Sequence, residues 1–480
     1  MTSLLSSPDP VVLTAEDAEL VVDTERYACS VECCPADAHL DAVIIGTYQL
    51  DEVSKTRDGD VQLYRVGGGE DGVRSGGEGC DGAAVKSEHL LEKCATLEMP
   101  TGGVLDSKWD PSGGTATLAC ATATGSLVLV QLRDGWRDSR GGGADTDPGD
   151  SSGDAAPLQI VQASEPTGYL FLSVDWNNRP THGGGGASPG EASSGGCDTL
   201  IAVSEAEGCL SVWRTSREGD PSLTLEHRWD AHTLCGLPSE TWTVAFNPWQ
   251  PQQLFSGADD AILKGWDLRC AESSGRGISS SSIAPSPSSS GEAEAEAGRC
   301  SPAGVVEGAD LCAVRADCHD AGVTALCFSP WDEHVLVSGS YDGVVRFWDL
   351  RKLGSGRRGQ PVATVDVGGG VWRLKWHPSR DALAVASMHN GVHVVSVRGG
   401  AAVESADAPP SGAMLPPMST AAFLRYDGHG SMAYGVDWCR SQCPDFRADE
   451  AASALEWGSV VSCSFYDHAA HYWRVPALNY

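Results

Sequence analysis

Residues 319–351 read HDAGVTALCFSPWDEHVLVSGSYDGVVRFWDLR, and this stretch decides the fold. It contains an alternating strand (VTALCF), a Ser-Pro turn, a second apolar strand (VLVSGS), a Tyr-Asp-Gly turn and a third strand that ends in Trp-Asp. Three strands of period two that are joined by short turns predict an antiparallel meander. Because one small sheet cannot cover both of its faces, we expect copies of this unit to stack against one another.

Copies of the unit are present, and they share its spacing. Residues 241–269 read TWTVAFNPWQPQQLFSGADDAILKGWDLR, and 14 positions separate Phe246 from Asp260, as they separate Phe328 from Asp342. Six positions separate the acidic turn residue from the third-strand tryptophan in four repeats: Glu207 and Trp213, Asp260 and Trp266, Asp342 and Trp348, Asp467 and Trp473. This shared spacing is much stronger evidence for repeats than a single Trp-Asp pair would be.

The pattern resembles WD40 repeats, which begin with a Gly-His or similar pair, carry an Asp in the second turn and close with Trp-Asp. The resemblance implies an all-β fold, a single β-propeller of about seven four-stranded blades over residues 1–480. It also implies a structural hydrogen-bond network in two repeats, formed by His232, Asp260 and Trp266 and by His319, Asp342 and Trp348.

The first and last parts of the chain are expected to meet in one blade. The apolar segment AELVVDT at residues 18–24 precedes the first repeat, so we expect it to supply the outer strand of the last blade and close the ring. Blade 1 is then expected to end near residues 61–66 (VQLYRV). Four segments rich in Gly, Ser, Pro, Ala and acidic residues are predicted to be disordered insertions: 134–156, 181–196, 271–308 and 401–420.

Composition favours a soluble intracellular protein. The chain is 41% hydrophobic, has no apolar run long enough to span a membrane, and lacks the basic and apolar start of a secretory signal. Its 17 cysteines are odd in number and scattered without a C-x-x-C pair, which favours free thiols in a reducing compartment over disulfides or a metal site. We therefore expect a cytoplasmic monomer without a metal.

The formal charge of −32, from 65 acidic and 33 basic side chains, argues against a nucleic-acid surface and favours cationic partners. The simpler interpretation is that much of this charge only solvates loops.

Several segments go beyond the general repeat pattern. They are VDTE at 22–25, IGTYQL at 45–50, ETWTVAFNPW at 240–249, SGADDAILKGWDLR at 256–269, GGVWRLKWHP at 369–378 and SCSFYDHAAHYW at 462–473. Together they resemble the diphthine methyl ester hydrolase family of diphthamide biosynthesis. The resemblance covers blades 1 and 3 to 7, while blade 2 matches loosely and the insertions have no counterpart.

The resemblance implies a carboxylic ester hydrolase without a cofactor. Such an enzyme would remove a methyl ester from methylated diphthine, a modified histidine of translation elongation factor 2 that also carries a trimethylammonium group. The repeats alone would instead suggest a noncatalytic adaptor or substrate-receptor scaffold, because most propellers of this type bind rather than react.

Catalytic residues are harder to identify. The pattern G-x-S-x-G occurs at residues 149–153 and 186–190, but both copies lie in low-complexity loops, so we favour an activated water over a serine nucleophile. His389 and His468 lie in turns expected at the channel mouth, where either imidazole is a candidate general base and Asp467 could orient one. The competing interpretation is that these are solvated or capping turn residues.

In three blades an aromatic residue lies four positions before the residue that anchors the innermost strand in the core. The anchors are Phe246, Trp376 and Trp438. Trp242, Trp372 and Tyr434 are candidates for a box around the trimethylammonium group, to which Tyr48 could contribute. Their parity matches that of the buried anchors, however, which favours packing between blades. Arg373 has the opposite parity and is expected either to face the channel, where it could bind a carboxylate or polarise an ester carbonyl, or to be exposed.

Overall fold

A computed structural model describes residues 10–67, 91–138, 156–181, 199–216, 222–270, 312–317, 319–353, 360–398, 419–443 and 456–476. Seven antiparallel sheets surround a central channel, which confirms the predicted all-β propeller of seven blades. Most of the predicted insertions at 134–156, 181–196, 271–308 and 401–420 lie outside the described residues. Within the described part, no helix is long and apolar enough to cross a bilayer.

The first half of the chain builds three blades after two leading strands, β1 (Val11–Leu13) and β2 (Ala18–Asp23). Blade 1 contains β3 (Tyr27–Cys33), β4 (Ala42–Leu50), β5 (Arg57–Asp58), β6 (Asp60–Val66) and β7 (Leu91–Glu98). Blade 2 contains β8 (Val104–Trp109), β9 (Thr117–Thr122), β10 (Leu127–Leu132) and β11 (Leu158–Ala163). Blade 3 contains β12 (Phe171–Trp176), β13 (Thr199–Glu205), β14 (Cys209–Thr215) and β15 (Leu223–Asp230).

The second half builds four blades after a short hairpin, β16 (Thr233–Leu234) and β17 (Leu237–Pro238). Blade 4 contains β18 (Thr243–Phe246), β19 (Gln253–Gly257), β20 (Ile262–Asp267) and β21 (Cys312–Asp317). Blade 5 contains β22 (Val323–Phe328), β23 (Val335–Ser340), β24 (Val344–Asp349) and β25 (Ala363–Asp366). Blade 6 contains β26 (Arg373–Trp376), β27 (Ala382–Ala386), β28 (Val392–Arg398) and β29 (Ser419–Tyr426), and blade 7 contains β30 (Ala433–Trp438), β31 (Glu456–Ser464) and β32 (Ala469–Pro476).

Short 3₁₀ turns lie at Ala15–Asp17, Asp37–His39, Trp136–Asp138, Leu350–Lys352 and Arg440–Gln442. In each blade the first strand lies next to the channel. We call the channel mouth formed by the turns between second and third strands the upper mouth, and the opposite end the lower mouth.

The ring closes as the sequence predicted. Strand β2 pairs antiparallel with β32 and so becomes the outer strand of blade 7. Thr24 extends the closure, because its N–H and its hydroxyl both donate to the carbonyl oxygen of His468, at 2.8 and 3.0 Å. The N-terminal and C-terminal parts of the described chain therefore hold each other in one sheet.

Apolar side chains are buried between blades rather than within single blades. The core divides into seven clusters of buried residues, each of which joins two neighbouring blades around the ring. A blade has two apolar faces, and only its two neighbours can cover them. The fold therefore requires the complete ring, including the blade that the chain ends build.

Polar contacts connect innermost strands that share no ladder. Asp437 of blade 7 accepts from the backbone N–H of Cys33 at 2.9 Å, and Asp175 of blade 3 accepts from that of Phe246 at 2.8 Å. Hydrogen bonds also run toward the preceding blade, since the indole of Trp176 in blade 3 donates through Nε1 to the carbonyl oxygen of Lys108 in blade 2 at 2.8 Å. These contacts satisfy backbone groups that would otherwise be buried without partners.

The histidine network implied by the repeat pattern is present in blades 4 and 5. In blade 4, His232 Nδ1 lies 2.9 Å from Asp260 Oδ2, and its Nε2 lies 2.8 Å from Ser256 Oγ, which also accepts from Trp266 Nε1 at 2.8 Å. The same contacts recur in blade 5: His319 to Asp342 at 3.0 Å, His319 to Ser338 at 2.7 Å and Trp348 to Ser338 at 2.8 Å.

Blade 7 departs from this network. His429 keeps the serine contact, with Nε2 2.7 Å from Ser462 Oγ, but its buried Nδ1 has no partner among the described residues. Asp467, at the corresponding turn position, accepts instead from the hydroxyl of Ser464. Asp467 therefore neither completes the histidine network nor contacts His468 through a hydrogen bond within the described structure.

Three features differ from the sequence-based expectation. Blade 1 does not end at β6, because β7 forms its outermost strand after a long connection. Strand β1 adds a fifth, parallel strand to blade 6 by pairing with β29. The segment predicted as an insertion from residue 134 begins with an ordered turn, in which Trp136 is buried and donates to His39 Nδ1 at 3.1 Å. A single tryptophan in a polar segment gave no sign of this docking.

Substitutions on the two faces of β2 test the closure. Val22 packs against the core between blades 7 and 1, whereas the adjacent Val21 is exposed. We expect Val22→Asp to lower the free energy of unfolding by about 2 kcal/mol, since it places an unpaired carboxylate against this core. Val21→Asp is the matched control and should change it by less than about 0.5 kcal/mol. Urea unfolding measures both, and equal effects would contradict the closure.

The pH dependence of stability provides a second test at His377. This imidazole is buried, and its Nε2 donates to the carbonyl oxygen of Trp457 at 2.8 Å while Nδ1 accepts from the N–H of Ser379 at 3.0 Å. Burial lowers the pKa of His377 to about 4, compared with about 6.5 in an unfolded chain. Between these values the unfolded state binds more protons, so the contribution of His377 to stability is lost as pH falls from about 6.5 to 4.

The variant His377→Asn should reduce this pH dependence. Blade 4 shows that asparagine fits the position, because Asn247 Oδ1 accepts from the N–H of Trp249 at 3.0 Å as His377 Nδ1 does in blade 6. We expect the loss of unfolding free energy between pH 7 and 4.5 to be smaller in the variant by roughly 1 to 3 kcal/mol. Identical losses in both proteins would contradict the assignment.

Candidate functional site

The β-ladder is interrupted at one position in every innermost strand. The seven anchors at the lower ends of these strands are Cys33, Trp109, Trp176, Phe246, Phe328, Trp376 and Trp438. The residues four positions earlier are Cys29, Leu105, Leu172, Trp242, Thr324, Trp372 and Tyr434. In five blades the register shifts at this residue, and in blades 4 and 6 the strand begins directly after it.

This interruption decides where the side chains point. In a regular strand, successive side chains point to opposite faces of the sheet, but a residue without a ladder partner need not follow this alternation. Six of the seven residues line a single cavity of about 110 Å³ at the upper mouth, which we call the upper cavity. Its walls are Cys29, Tyr48, Leu105, Leu172, Trp242, Trp372, Arg373, Tyr434 and Phe465.

The structure therefore brings together all five residues that the sequence suggested for substrate binding: Tyr48, Trp242, Trp372, Arg373 and Tyr434. The parity argument that favoured packing between blades for the three aromatic residues is wrong. It assumed a regular strand up to the anchor, whereas the ladder is interrupted at these residues and turns them toward the channel.

Aromatic rings form a continuous wall around one side of the upper cavity. Trp242 and Trp372 have ring centroids 5.5 Å apart, and Trp372 stacks on Tyr434 at 4.8 Å. Tyr434 contacts Phe465 at 4.9 Å, and Phe465 reaches Tyr48 at 6.2 Å. The faces of such rings provide the negative potential that attracts a quaternary ammonium ion.

Arg373 provides the positive group of the cavity. Its guanidinium donates to Asp106 at 3.0 Å and to two backbone carbonyl oxygens, those of Leu105 at 3.3 Å and Trp372 at 3.2 Å. Five N–H donors are available on a guanidinium, so these three contacts leave donors for a ligand. Because Asp106 is buried and fixes the side chain, Arg373 can present those donors with little loss of entropy.

Acidic side chains stand beside the aromatic wall. Asp259 accepts from Trp242 Nε1 at 2.6 Å and is exposed at the rim. Partial burial, then the nearby charges of Asp259 and Glu207, raise the pKa of Glu240. Carboxylates that are close enough to repel one another create a negative potential, which favours a cationic ligand.

Two titratable groups of the cavity, Tyr434 and Cys29, remain neutral at physiological pH. Burial raises the pKa of Tyr434 to about 12. Burial also raises the pKa of the Cys29 thiol far above its ordinary value. A thiol that does not ionise is a poor nucleophile, so Cys29 contributes apolar surface rather than covalent catalysis.

The three predicted catalytic residues do not line the upper cavity. His389 is exposed on the turn between β27 and β28, next to Met388 with a φ of 43°. His468 has a φ of 55°, and its ring meets Tyr27 at 4.6 Å, which in turn stacks on Phe465 at 4.7 Å. Asp467 is exposed on the same turn. All three therefore belong to the upper face, and their catalytic role stays a prediction.

Sequence reasoning missed four lining residues. Cys29, Leu105 and Leu172 follow from the same rule of four positions, applied to the anchors of blades 1, 2 and 3. Phe465 follows from the turn pattern, as it lies two positions before Asp467. Neither signal identifies a site unless the closed ring is already known.

The fold and the cavity define this protein as a WD40 β-propeller with an aromatic pocket at one channel mouth. The family model of the WD domain, G-beta repeat, matches residues 312–349. The solved structure titled "Crystal Structure of Mitotic Checkpoint Complex" contains a chain with a TM-score of 0.53 and 13% identity over 99% of this chain and 98% of that chain, which supports the fold alone.

Relatives identify the family. A mouse protein named diphthine methyltransferase is 30% identical over 424 residues, which cover 87% of this chain and 68% of the relative. The human diphthine methyltransferase is 28% identical over 87% of this chain and 73% of its own length, and a homolog from Dictyostelium discoideum is 25% identical over 92% and 95%. This chain belongs to the diphthine methyltransferase family.

Ligand binding tests the aromatic wall. We expect choline to bind the protein about tenfold more tightly than its neutral isostere 3,3-dimethylbutan-1-ol, because only the cation gains from the ring faces and the acidic rim. Trp372→Leu keeps an apolar side chain at this position but removes the central ring, so it should abolish most of this preference. Trp249→Leu, in a loop at the lower face, is the matched control. Isothermal titration calorimetry measures all six affinities, and equal binding of both ligands to the unaltered protein would contradict the aromatic box.

Proposed function

We propose that this chain is an enzyme of diphthamide biosynthesis that hydrolyses the methyl ester of methylated diphthine on translation elongation factor 2 in the cytoplasm. Family membership supports the pathway, since the relatives carry the name diphthine methyltransferase. The hydrolytic step is our own inference. The observation that carries it is the combination, in one cavity, of an aromatic wall with a guanidinium that has donors to spare.

The two halves of the cavity match the two groups of the proposed substrate. Methylated diphthine carries a trimethylammonium group and, nearby, an esterified carboxylate. The rings of Trp242, Trp372 and Tyr434 would hold the cation, each contact contributing about 0.5 to 2 kcal/mol. Arg373, which follows Trp372 directly, would then lie beside the ester carbonyl.

Arg373 would act on the charge that develops during hydrolysis. Water attacks the ester carbonyl carbon, the carbonyl oxygen becomes an oxyanion, and methanol leaves with the regeneration of a carboxylate. Donors that are already oriented toward the oxyanion lower the barrier because they need no reorganisation during the reaction. The buried ion pair with Asp106 provides that orientation.

The proton of the attacking water requires a base. The described lining of the upper cavity provides no imidazole or carboxylate. The candidates for this base are the two imidazoles at the rim, His468 and His389. Either one would contact the ester only when the substrate is bound at the upper face. Histidine is the side chain that most often serves as a general base in enzymes.

Methanol release from methyl-esterified elongation factor 2 is the direct test. We expect turnover with the unaltered protein and a loss of about 100-fold in kcat/KM for Arg373→Lys, since lysine keeps the charge beside Asp106 but loses the forked donors. Arg425→Lys, on the fourth strand of blade 6 and remote from the upper cavity lining, is the matched control and should retain full activity.

Two further outcomes would decide the assignment. His389→Gln and His468→Gln should show which imidazole is the base, because loss of the base removes the acid limb of the pH-rate profile. If folded protein releases no methanol, or methylates the carboxylate only when a methyl donor is supplied, the proposed hydrolysis is wrong. A noncatalytic scaffold role would follow from the first result.

A further inference from the structure

A second cavity lies at the lower mouth of the channel. The residues one position before the seven anchors point into the channel from every blade: Glu32, Lys108, Asp175, Ala245, Cys327, Lys375 and Asp437. Five of these seven side chains carry charge. They line a cavity of about 170 Å³, which we call the lower cavity and which the upper-cavity chemistry does not use.

Ion pairs hold most of these charges in place. Lys375 lies between two carboxylates, in contact with Glu32 and 3.9 Å from Asp437. Asp175 receives two cations, Lys108 at 3.4 Å and Arg179 at 2.9 Å. Arg179 comes from the loop after β12 and adds a guanidinium at the mouth, where only one of its donors is engaged by a protein acceptor within the described chain.

Two buried donors in the lower cavity have no oxygen or nitrogen acceptor within the described structure. Arg440, in the loop after β30, lines the cavity, and its buried Nε has no hydrogen-bond partner among the described residues. The indole N–H of Trp376 is also buried and lies beside the thiol of Cys327, a weak acceptor, without an oxygen to bind. The anchors Trp109, Trp176 and Trp438 instead donate to backbone carbonyl oxygens.

Unpaired buried donors are costly, so their presence in one cavity calls for an acceptor. The cavity also has more positive than negative groups: the cations are Lys108, Arg179, Lys375 and Arg440, and the carboxylates are Glu32, Asp175 and Asp437. Burial, opposed by Lys375 and reinforced by Asp437, raises the pKa of Glu32 to about 7, which further reduces the negative charge at neutral pH. This excess is notable in a chain whose formal charge is −32.

We propose that the lower cavity is a binding site for a small oxyanion, a phosphate or a carboxylate, which accepts hydrogen bonds from Arg440, Arg179 and the indole of Trp376. Guanidinium groups suit this ligand because they bind two oxygens of a phosphate or carboxylate at once. A cavity of about 170 Å³ has enough room for such an ion. The proposal is independent of the ester hydrolysis at the upper cavity.

Thermal unfolding with added anions tests the site. We expect inorganic phosphate or acetate, each compared with chloride at matched ionic strength, to raise the Tm of the full chain with a saturating dependence on concentration, since a ligand that binds only the folded state stabilises it. Phosphate alone would indicate a tetrahedral anion and acetate alone a carboxylate, and both results support an oxyanion site. No rise with either anion would overturn it.

Variants separate the site from general anion effects. Arg440→Gln should raise the dissociation constant for the anion by about tenfold or more, because it removes a charged donor. Arg179→Gln should also raise the dissociation constant. Because the Arg179 side chain is 39% exposed, this variant is expected to fold and serves if Arg440→Gln does not. Arg65→Gln, which alters an arginine paired with Glu92 on blade 1, is the control and should bind like the unaltered protein. Equal responses in all variants would overturn the proposal.

Discussion

Closure of the ring is the constraint on which the rest of this structure depends. Each blade leaves two apolar faces uncovered, and the seven core clusters all lie between blades, so no blade has a core of its own. The pairing of β2 with β32 completes the last interface by joining segments from the two ends of the described chain. Only when the ring is closed do seven innermost strands converge and create a channel.

The two ends of that channel differ because the innermost strands are regular at one end and interrupted at the other. Near the anchors the pleat is regular, and the residues one position before them present charge to the lower cavity. Four positions before the anchors the ladder breaks, and rings such as Trp372 and Tyr434 turn into the upper cavity. A small irregularity of the backbone therefore separates an aromatic site from an ionic one about ten ångströms away along the strand.

The two ends of the channel also differ in the charged residues that surround them. The chain as a whole is strongly acidic, and acidic residues such as Asp259 and Glu240 stand at the upper rim beside the aromatic wall. Basic groups line both cavities: Arg373 pairs with Asp106 at the upper cavity, and Arg440 lies at the lower mouth. This distribution of charge supports the cation proposed for the upper cavity and the anion proposed for the lower cavity.

The sequence by itself determined the repeat, the all-β propeller and the strand that closes the ring, because spacing between aromatic and acidic residues is a local property of each blade. It offered five residues of the upper cavity only as candidates, and for three of them it favoured packing between blades. Tertiary structure alone decided three other matters. The direction of Trp242, Trp372 and Tyr434 depended on where the ladder breaks, which parity cannot reveal. Tyr27 and Phe465 separate His468 from the cavity, and Arg440 and Trp376 line one lower cavity, and both arrangements involve residues from different blades. Such contacts are fixed by ring closure, and no single repeat contains the information to predict them.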